Sequence, residues 1–66
     1  MKVVITIPAY NEERTIVGVI KEIKEAMSKT SYNYIIHVLD DGSKDRTAVM
    51  AKKEGAVVYS NNRNMG

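Results

Sequence analysis

Tyr34-Ile35-Ile36-His37-Val38-Leu39-Asp40-Asp41-Gly42-Ser43 is the stretch that decides the fold. Six residues, apolar apart from His37, break off at two acids, a glycine and a serine, which is the composition of a turn. A continuous apolar run that ends so abruptly reads as a strand meant for burial on both faces. Downstream, Asp45 is placed to cap a helix running from about Arg46 to Glu54, with Ala48, Met50 and Ala51 facing inward and Gly55 as its stop. Ala56-Val57-Val58-Tyr59 then forms a short third strand, and Ser60 to Gly66 is polar and turn-prone.

Upstream, Val3-Val4-Ile5-Thr6-Ile7 is β-branched throughout and is predicted to form a first strand that stops at Pro8, which has no amide hydrogen to give a ladder. Asn11 is expected to cap a helix whose first turn holds Glu12 and Glu13 at the positive end of the dipole. Ile16, Val19, Ile20, Ile23 and Met27 recur at helical spacing as its inner face, Lys21, Glu22, Lys24 and Glu25 fill the outer one, and Ser28 to Asn33 is a loop.

The predicted order is β, α, β, α, β, and helical crossovers of this length imply parallel pairing with right-handed connections. The fold class is therefore α/β: a three-stranded parallel half of a doubly wound, Rossmann-like sheet, in strand order 3-2-1 with both helices on one face. The opposite face would be bare although the strands carry apolar residues for it, so we expect residues 1–66 to be the N-terminal part of a larger domain without an internal boundary. The first strand would then be an unprotected apolar edge, and self-association or domain swapping through it is expected.

Composition narrows the classes. The 66 residues contain no cysteine, which excludes a disulfide framework, a thiolate nucleophile and a zinc ribbon, and a single His37 cannot build a metal site. A net charge of +2, with the basic residues dispersed, gives no footprint for nucleic acid. The apolar runs are too short for a membrane span.

Ligands of open α/β sheets bind beyond the carboxyl ends of the strands. Three segments arrive there: Pro8-Ala9-Tyr10-Asn11-Glu12, Asp40-Asp41-Gly42-Ser43, and the stretch from Asn61 to Gly66. No G-x-G-x-x-G or P-loop pattern is present, so backbone cradling of a diphosphate is not the device used. A carboxylate at a strand end offers only acceptors, which suits the ring N–H of uracil or guanine and ribose hydroxyls, and suits adenine poorly. Tyr10 offers a flat face for stacking.

Ile7-Pro8-Ala9-Tyr10-Asn11-Glu12-Glu13, then Val38 to Thr47, then Asn64-Met65-Gly66, resembles the family 2 glycosyltransferases over essentially the whole chain. Within that family the pattern looks most like the polyprenyl-phosphate sugar transferases, such as dolichol-phosphate mannose synthase. The resemblance implies a GT-A fold whose N-terminal half binds the nucleotide of a UDP- or GDP-sugar donor. It implies nucleotide-binding roles for Pro8, Ala9, Tyr10, Glu12, Leu39 and Asp41, and a secondary set of Asp40, Gly42, Ser43, Asn64 and Gly66, with Asp40 as a structural carboxylate. It also implies a divalent metal, Mg or Mn, and a catalytic base, both held by residues outside this chain, so the polypeptide alone is expected to be inactive. The enzyme it implies is cytoplasmic, working at the cytoplasmic membrane face when its acceptor is a lipid phosphate.

Blander readings stand beside these. Asp40-Asp41-Gly42 is ordinary turn chemistry in an arbitrary loop, Glu12 is a dipole-complementing acid, His37 is a core or interface histidine, and Arg63 is solvated. A magnesium-binding receiver domain also ends a strand in paired acids, but it would begin with that strand rather than with a strand and helix before it. A non-catalytic folding or interaction fragment is the other alternative.

Overall fold

In the computed structural model, residues 2–60 are described; Met1 and residues 61–66 lie outside them. Five elements follow in the order β1 (Lys2–Ala9), α1 (Ile16–Met27), β2 (Asn33–Asp40), α2 (Thr47–Lys53) and β3 (Val57–Ser60). The strands form one sheet in the order β1-β2-β3, and both pairings are parallel. The register sets Ile5 beside Ile36, Ile7 beside Val38 and Ala9 beside Asp40, then Val38 beside Val58. The carboxyl ends of β1 and β2 are therefore level, and the loops that leave them start side by side.

Burial alternates along β1 even though its sequence does not: Val3, Ile5 and Ile7 are half-buried and Ala9 is buried, while Val4, Thr6 and Pro8 are exposed. In β2 the buried positions are Ile36, Val38 and Asp40. Ile36 and Val38 join Ile16 and Ile20 of α1, Ala51 of α2, Ala9 and Ala56 in a single core cluster. Residues of the opposite parity, Val4, Leu39, Val57 and Tyr59, are between 38% and 53% exposed, which leaves one sheet face apolar and uncovered. On it the His37 and Tyr59 rings stack edge to face with centroids 5.1 Å apart, at the separation such pairs favour.

Several elements differ from the sequence expectation. The first strand does not stop at Pro8; it continues through Ala9, with Pro8 beside Leu39. Among the described residues β1 pairs with β2 alone, so alternate residues turn their amides away from the ladder, and a proline at such a place costs no sheet bond. Asn11 is not a helix cap, and Glu12 and Glu13 are not in a first helical turn. α1 begins at Ile16 after Thr15, has no acid in its first turn, and follows a turn in which the Thr15 and Ile16 amides both donate to the Glu12 carbonyl. Val19 is 39% exposed and sits outside the core cluster, while Val17 packs against it, so the inner stripe of α1 differs from the one its spacing suggested. α2 ends where Gly55 takes φ +92°, a left-handed geometry that glycine enters without the Cβ penalty.

Candidate functional site

The loops after β1 and β2 are fastened to each other by bonds between the side chains of one and the backbone of the other. Asn11 donates its amide N–H to Ser43 Oγ at 2.8 Å, and its Oδ1 accepts the Lys44 amide at 2.8 Å. The Glu12 amide donates to Thr47 Oγ1 at 2.7 Å. The Glu13 amide donates to Asp45 Oδ2 at 3.1 Å, and Glu13 Oε1 accepts the Arg46 amide at 2.9 Å in return. One further step of backbone pairing, Asp41 N–H to the Ala9 carbonyl at 2.9 Å, closes the base of the fork. A connector ordinarily leaves such amides to water, whereas in this fork they are answered across the gap.

This arrangement explains which residue types occupy the loops. Asn11 has φ +51°, in the left-handed region that asparagine tolerates better than most side chains, and the bend turns its amide and its Oδ1 toward the neighbouring loop. Asp45 Oδ1 accepts the Thr47 amide at 2.9 Å and the Thr47 hydroxyl, while Oδ2 serves Glu13. The N-cap of α2 is Arg46 and not Asp45 as expected; Asp45, one residue earlier, bonds the Thr47 amide at the start of the helix and also ties in the first loop. Partial desolvation opposes its ionisation, but the hydrogen bonds from the Thr47 hydroxyl and from the Thr47, Glu13 and Asp45 amides outweigh it and hold the carboxyl below the usual range.

The residues expected to bind a nucleotide separate into groups. Pro8, Leu39 and Asp41, together with Asp40, line one hollow of about 260 Å³ at the tips of β1 and β2. Leu39 is 43% exposed and supplies apolar surface to that hollow. Asp40 is 4% exposed, and its Oδ1 accepts the Ser43 amide at 3.1 Å, so it shapes the turn from below. Glu12 is elsewhere: with Asn11, Glu13, Arg14, Thr15 and Asp45 it lines a second hollow of about 330 Å³, and its Oε1 accepts the Thr15 hydroxyl at 3.0 Å. Tyr10 is 52% exposed and lines neither hollow, and Ala9 is buried in the core. Gly42 takes φ +79° in the turn, and Ser43 is held by Asn11. Asn64, Gly66 and Arg63 lie outside the described residues.

Sequence reasoning did not find the fastening residues Asn11, Glu13 and Thr47. Thr47 carried a signal: it falls four residues before Ala51, on the inward face of α2, and is fully buried. A hydroxyl in that position requires a partner. Among the described residues, no group of three or more His, Asp or Glu side chains is placed to hold a metal ion. Asp40 and Asp45 are engaged by amides and a hydroxyl as above, so these residues do not fit a divalent-metal site.

Residues 4–66 match the model of Glycosyl transferase family 2. The chain belongs to this family. The family 2 chain is 34% identical over 56 residues to an undecaprenyl-phosphate 4-deoxy-4-formamido-L-arabinose transferase of Pseudomonas fluorescens, covering 85% of this chain and 16% of that protein. It superposes on the crystal structure of mannosyl-3-phosphoglycerate synthase from Rubrobacter xylanophilus with a TM-score of 0.83 and 35% identity, over 98% of this chain and 21% of the other. A third match is glucosyl-3-phosphoglycerate synthase from Mycobacterium tuberculosis, solved in complex with Mn2+, UDP-glucose and phosphoglyceric acid. There the TM-score is 0.73 and the identity 37%, over 89% of this chain and 20% of that one. The family 2 chain thus spans about a fifth of the length of these proteins. No described helix is long and apolar enough to cross a membrane.

Proposed function

We propose that this chain is the nucleotide-binding portion of a glycosyltransferase that moves a sugar from a UDP- or GDP-sugar donor to an acceptor. The observation that carries the reading is the hollow lined by Pro8, Leu39, Asp40 and Asp41 at the level carboxyl ends of two parallel strands. Pro8 and Leu39 offer apolar surface to the flat faces of a base. Asp41 offers acceptors to the ring N–H of uracil or guanine, and adenine has an acceptor at the equivalent ring atom. The glucosyl-3-phosphoglycerate synthase, which binds UDP-glucose with Mn2+, supports the donor class and a divalent ion for the complete enzyme, with its ligands outside this chain. Tyr10, Ala9 and Glu12 belong to the same proposed nucleotide segment, with Gly42, Ser43, Asn64 and Gly66 as its secondary set. The P. fluorescens relative, whose name specifies an undecaprenyl-phosphate, supports a polyprenyl phosphate as the acceptor. An enzyme with that acceptor works at the cytoplasmic membrane face.

The proposed architecture has the sheet in order 3-2-1 with both helices on one face, and the rest of a larger domain covering the other. The uncovered apolar positions Val4, Leu39, Val57 and Tyr59 support this. The open edge of β1 would take the next strand of that domain or, in isolation, a second copy.

Titration of the chain with UDP, GDP and ADP, followed by amide chemical shifts, tests the reading. Dissociation constants near ~1 mM are expected for UDP or GDP, because most of the diphosphate contacts lie elsewhere, with ADP at least several-fold weaker. Asp41→Asn should lose most of the preference over ADP. Equal shifts with all three nucleotides, or none at residues 8 and 39–41, would overturn the reading.

A further inference from the structure

Asn11 does not line the Pro8–Leu39–Asp41 hollow, yet the loop that carries Asp41 is pinned by it. Asp41 is followed by Gly42, whose φ of +79° belongs to a turn with little stiffness of its own. Restraints on that turn come from both of its ends. On one side the Asp41 amide is bonded to the Ala9 carbonyl. On the other, Ser43 and Lys44 are both held by Asn11, Ser43 through its hydroxyl and Lys44 through its amide. Ser43 is additionally held by the buried Asp40. Asp41 and Gly42 thus lie between fixed points, and the outer one is Asn11.

Asn11 is well matched to this task by its chemistry. The backbone must turn left-handed for its amide and its Oδ1 to reach the neighbouring loop together, and one short side chain supplies both the tolerance for that turn and the acceptor. Aspartate has the same reach, the same acceptor and a similar tolerance. Glycine keeps the turn and loses the acceptor. Alanine loses both.

We propose that Asn11 is a positioning residue for the nucleotide site: by holding Ser43 and Lys44 it sets the place of the Asp41 carboxylate against Pro8 and Leu39, without touching the nucleotide. The proposal rests on the nucleotide-binding reading above and deepens it by assigning a residue that acts on the ligand only through another.

The experiment is a UDP titration of the chain and its variants by amide chemical shifts, with amide exchange at Lys44 recorded without ligand. Asn11→Gly should weaken UDP binding about fivefold or more and speed Lys44 exchange, whereas Asn11→Asp should bind within about twofold of the parent and keep Lys44 protected. The Asn11→Gly/Asp41→Asn pair should bind no worse than Asp41→Asn alone, because a positioning residue has nothing left to position. Losses that add in the double variant, or unchanged binding by Asn11→Gly, would overturn the proposal. If the parent chain shows protected Lys44 but binds neither UDP nor GDP, the nucleotide reading has failed and this assignment falls with it. If the parent binds and only the variant pattern is wrong, the positioning role alone has failed.

Discussion

Replacing Thr47 by valine keeps the volume and branching of a fully buried side chain and removes only its hydroxyl. That oxygen accepts the part-buried Glu12 amide at 2.7 Å and donates to Asp45. Without it the Glu12 N–H has no acceptor in the neighbouring loop, which costs about 1–3 kcal/mol, and the hydroxyl's bond to the Asp45 carboxylate is gone as well. Asp45 is only half-buried and recovers part of its loss from water, and the new methyl returns somewhat under ~0.8 kcal/mol of apolar burial. The net expectation is a loss of about 2–3 kcal/mol. Thr47→Ser retains both bonds and removes one buried methyl, a loss of about 1 kcal/mol.

The two variants therefore order oppositely under two pictures of the same site. If Thr47 is a core residue that happens to carry a hydroxyl, valine is the milder change. If it is the fastening between loops, serine is. In urea unfolding, with a slope of about 1 kcal/mol per M for a chain of this size, the valine midpoint should fall by about 2–3 M and the serine midpoint by about 1 M. Faster exchange of the Glu12 amide in the valine variant alone would locate the effect. A valine variant as stable as the serine one, or more so, would refute the idea that this hydroxyl fastens the two loops.

Acid should loosen the same junction. The Asp45 carboxyl titrates below its ordinary range in the folded chain, so the folded state binds fewer protons than the unfolded one; its contribution is fully present above about pH 4 and is lost as pH falls through the depressed value. Asp45→Asn offers an acceptor on only one of its two terminal atoms and cannot serve both Thr47 and Glu13, so its urea midpoint should be lower at pH 6 and vary less between pH 5 and 3 than that of the parent; parallel acid limbs would show that Asp45 is not the group responsible. Gly55→Ala places a Cβ whose nearest neighbour is Lys24 Nζ at 4.0 Å, so space is no obstacle, but φ +92° strains any L side chain. A loss of about 1 kcal/mol in urea unfolding is expected, and an unchanged or raised midpoint would show that the α2 terminus relaxes without cost.

The parts of the fold legible in the sequence are those fixed by local pattern. The apolar runs around Ile5 and Ile36, the Ile16 and Ile20 stripe, and the stop at Gly55 depend on periodicity and glycine chemistry, and each element was found to within a few residues. The place of Pro8 is not legible locally, because a proline's meaning depends on whether its strand has one neighbour or two, which is a property of the sheet. The role of Asn11 is hidden for a related reason. As a polar residue before an apolar stripe it has the pattern of a cap, and the competing use of its side chain lies more than thirty residues away, at Ser43 and Lys44. Local propensity could not separate the two, because the same short amide serves both. Among the candidate site residues, Pro8, Leu39 and Asp41 were legible as strand-end residues, and the level register brings them together. Glu12 faces a different hollow because the turn at Asn11 intervenes.

The pairing of the two motifs along the chain has a physical basis in these bonds. A turn of the Asp40-Asp41-Gly42-Ser43 kind, taken alone, closes on its own through Asp40 and Ser43 and needs nothing from the first strand. Lys44, Asp45, Arg46 and Thr47 go further: each gives an amide, a carboxylate or a hydroxyl to residues 11–13. Residues 11–13 return the complementary group in each case. Neither loop has enough partners of its own to satisfy its backbone in this shape, so a change in one leaves unanswered groups in the other, and the two segments constrain each other's sequence. The proposed nucleotide site asks for Asp41 and an apolar wall. The surrounding Asn11, Glu13, Ser43, Asp45 and Thr47 join the two loops of the fork on which that carboxylate stands.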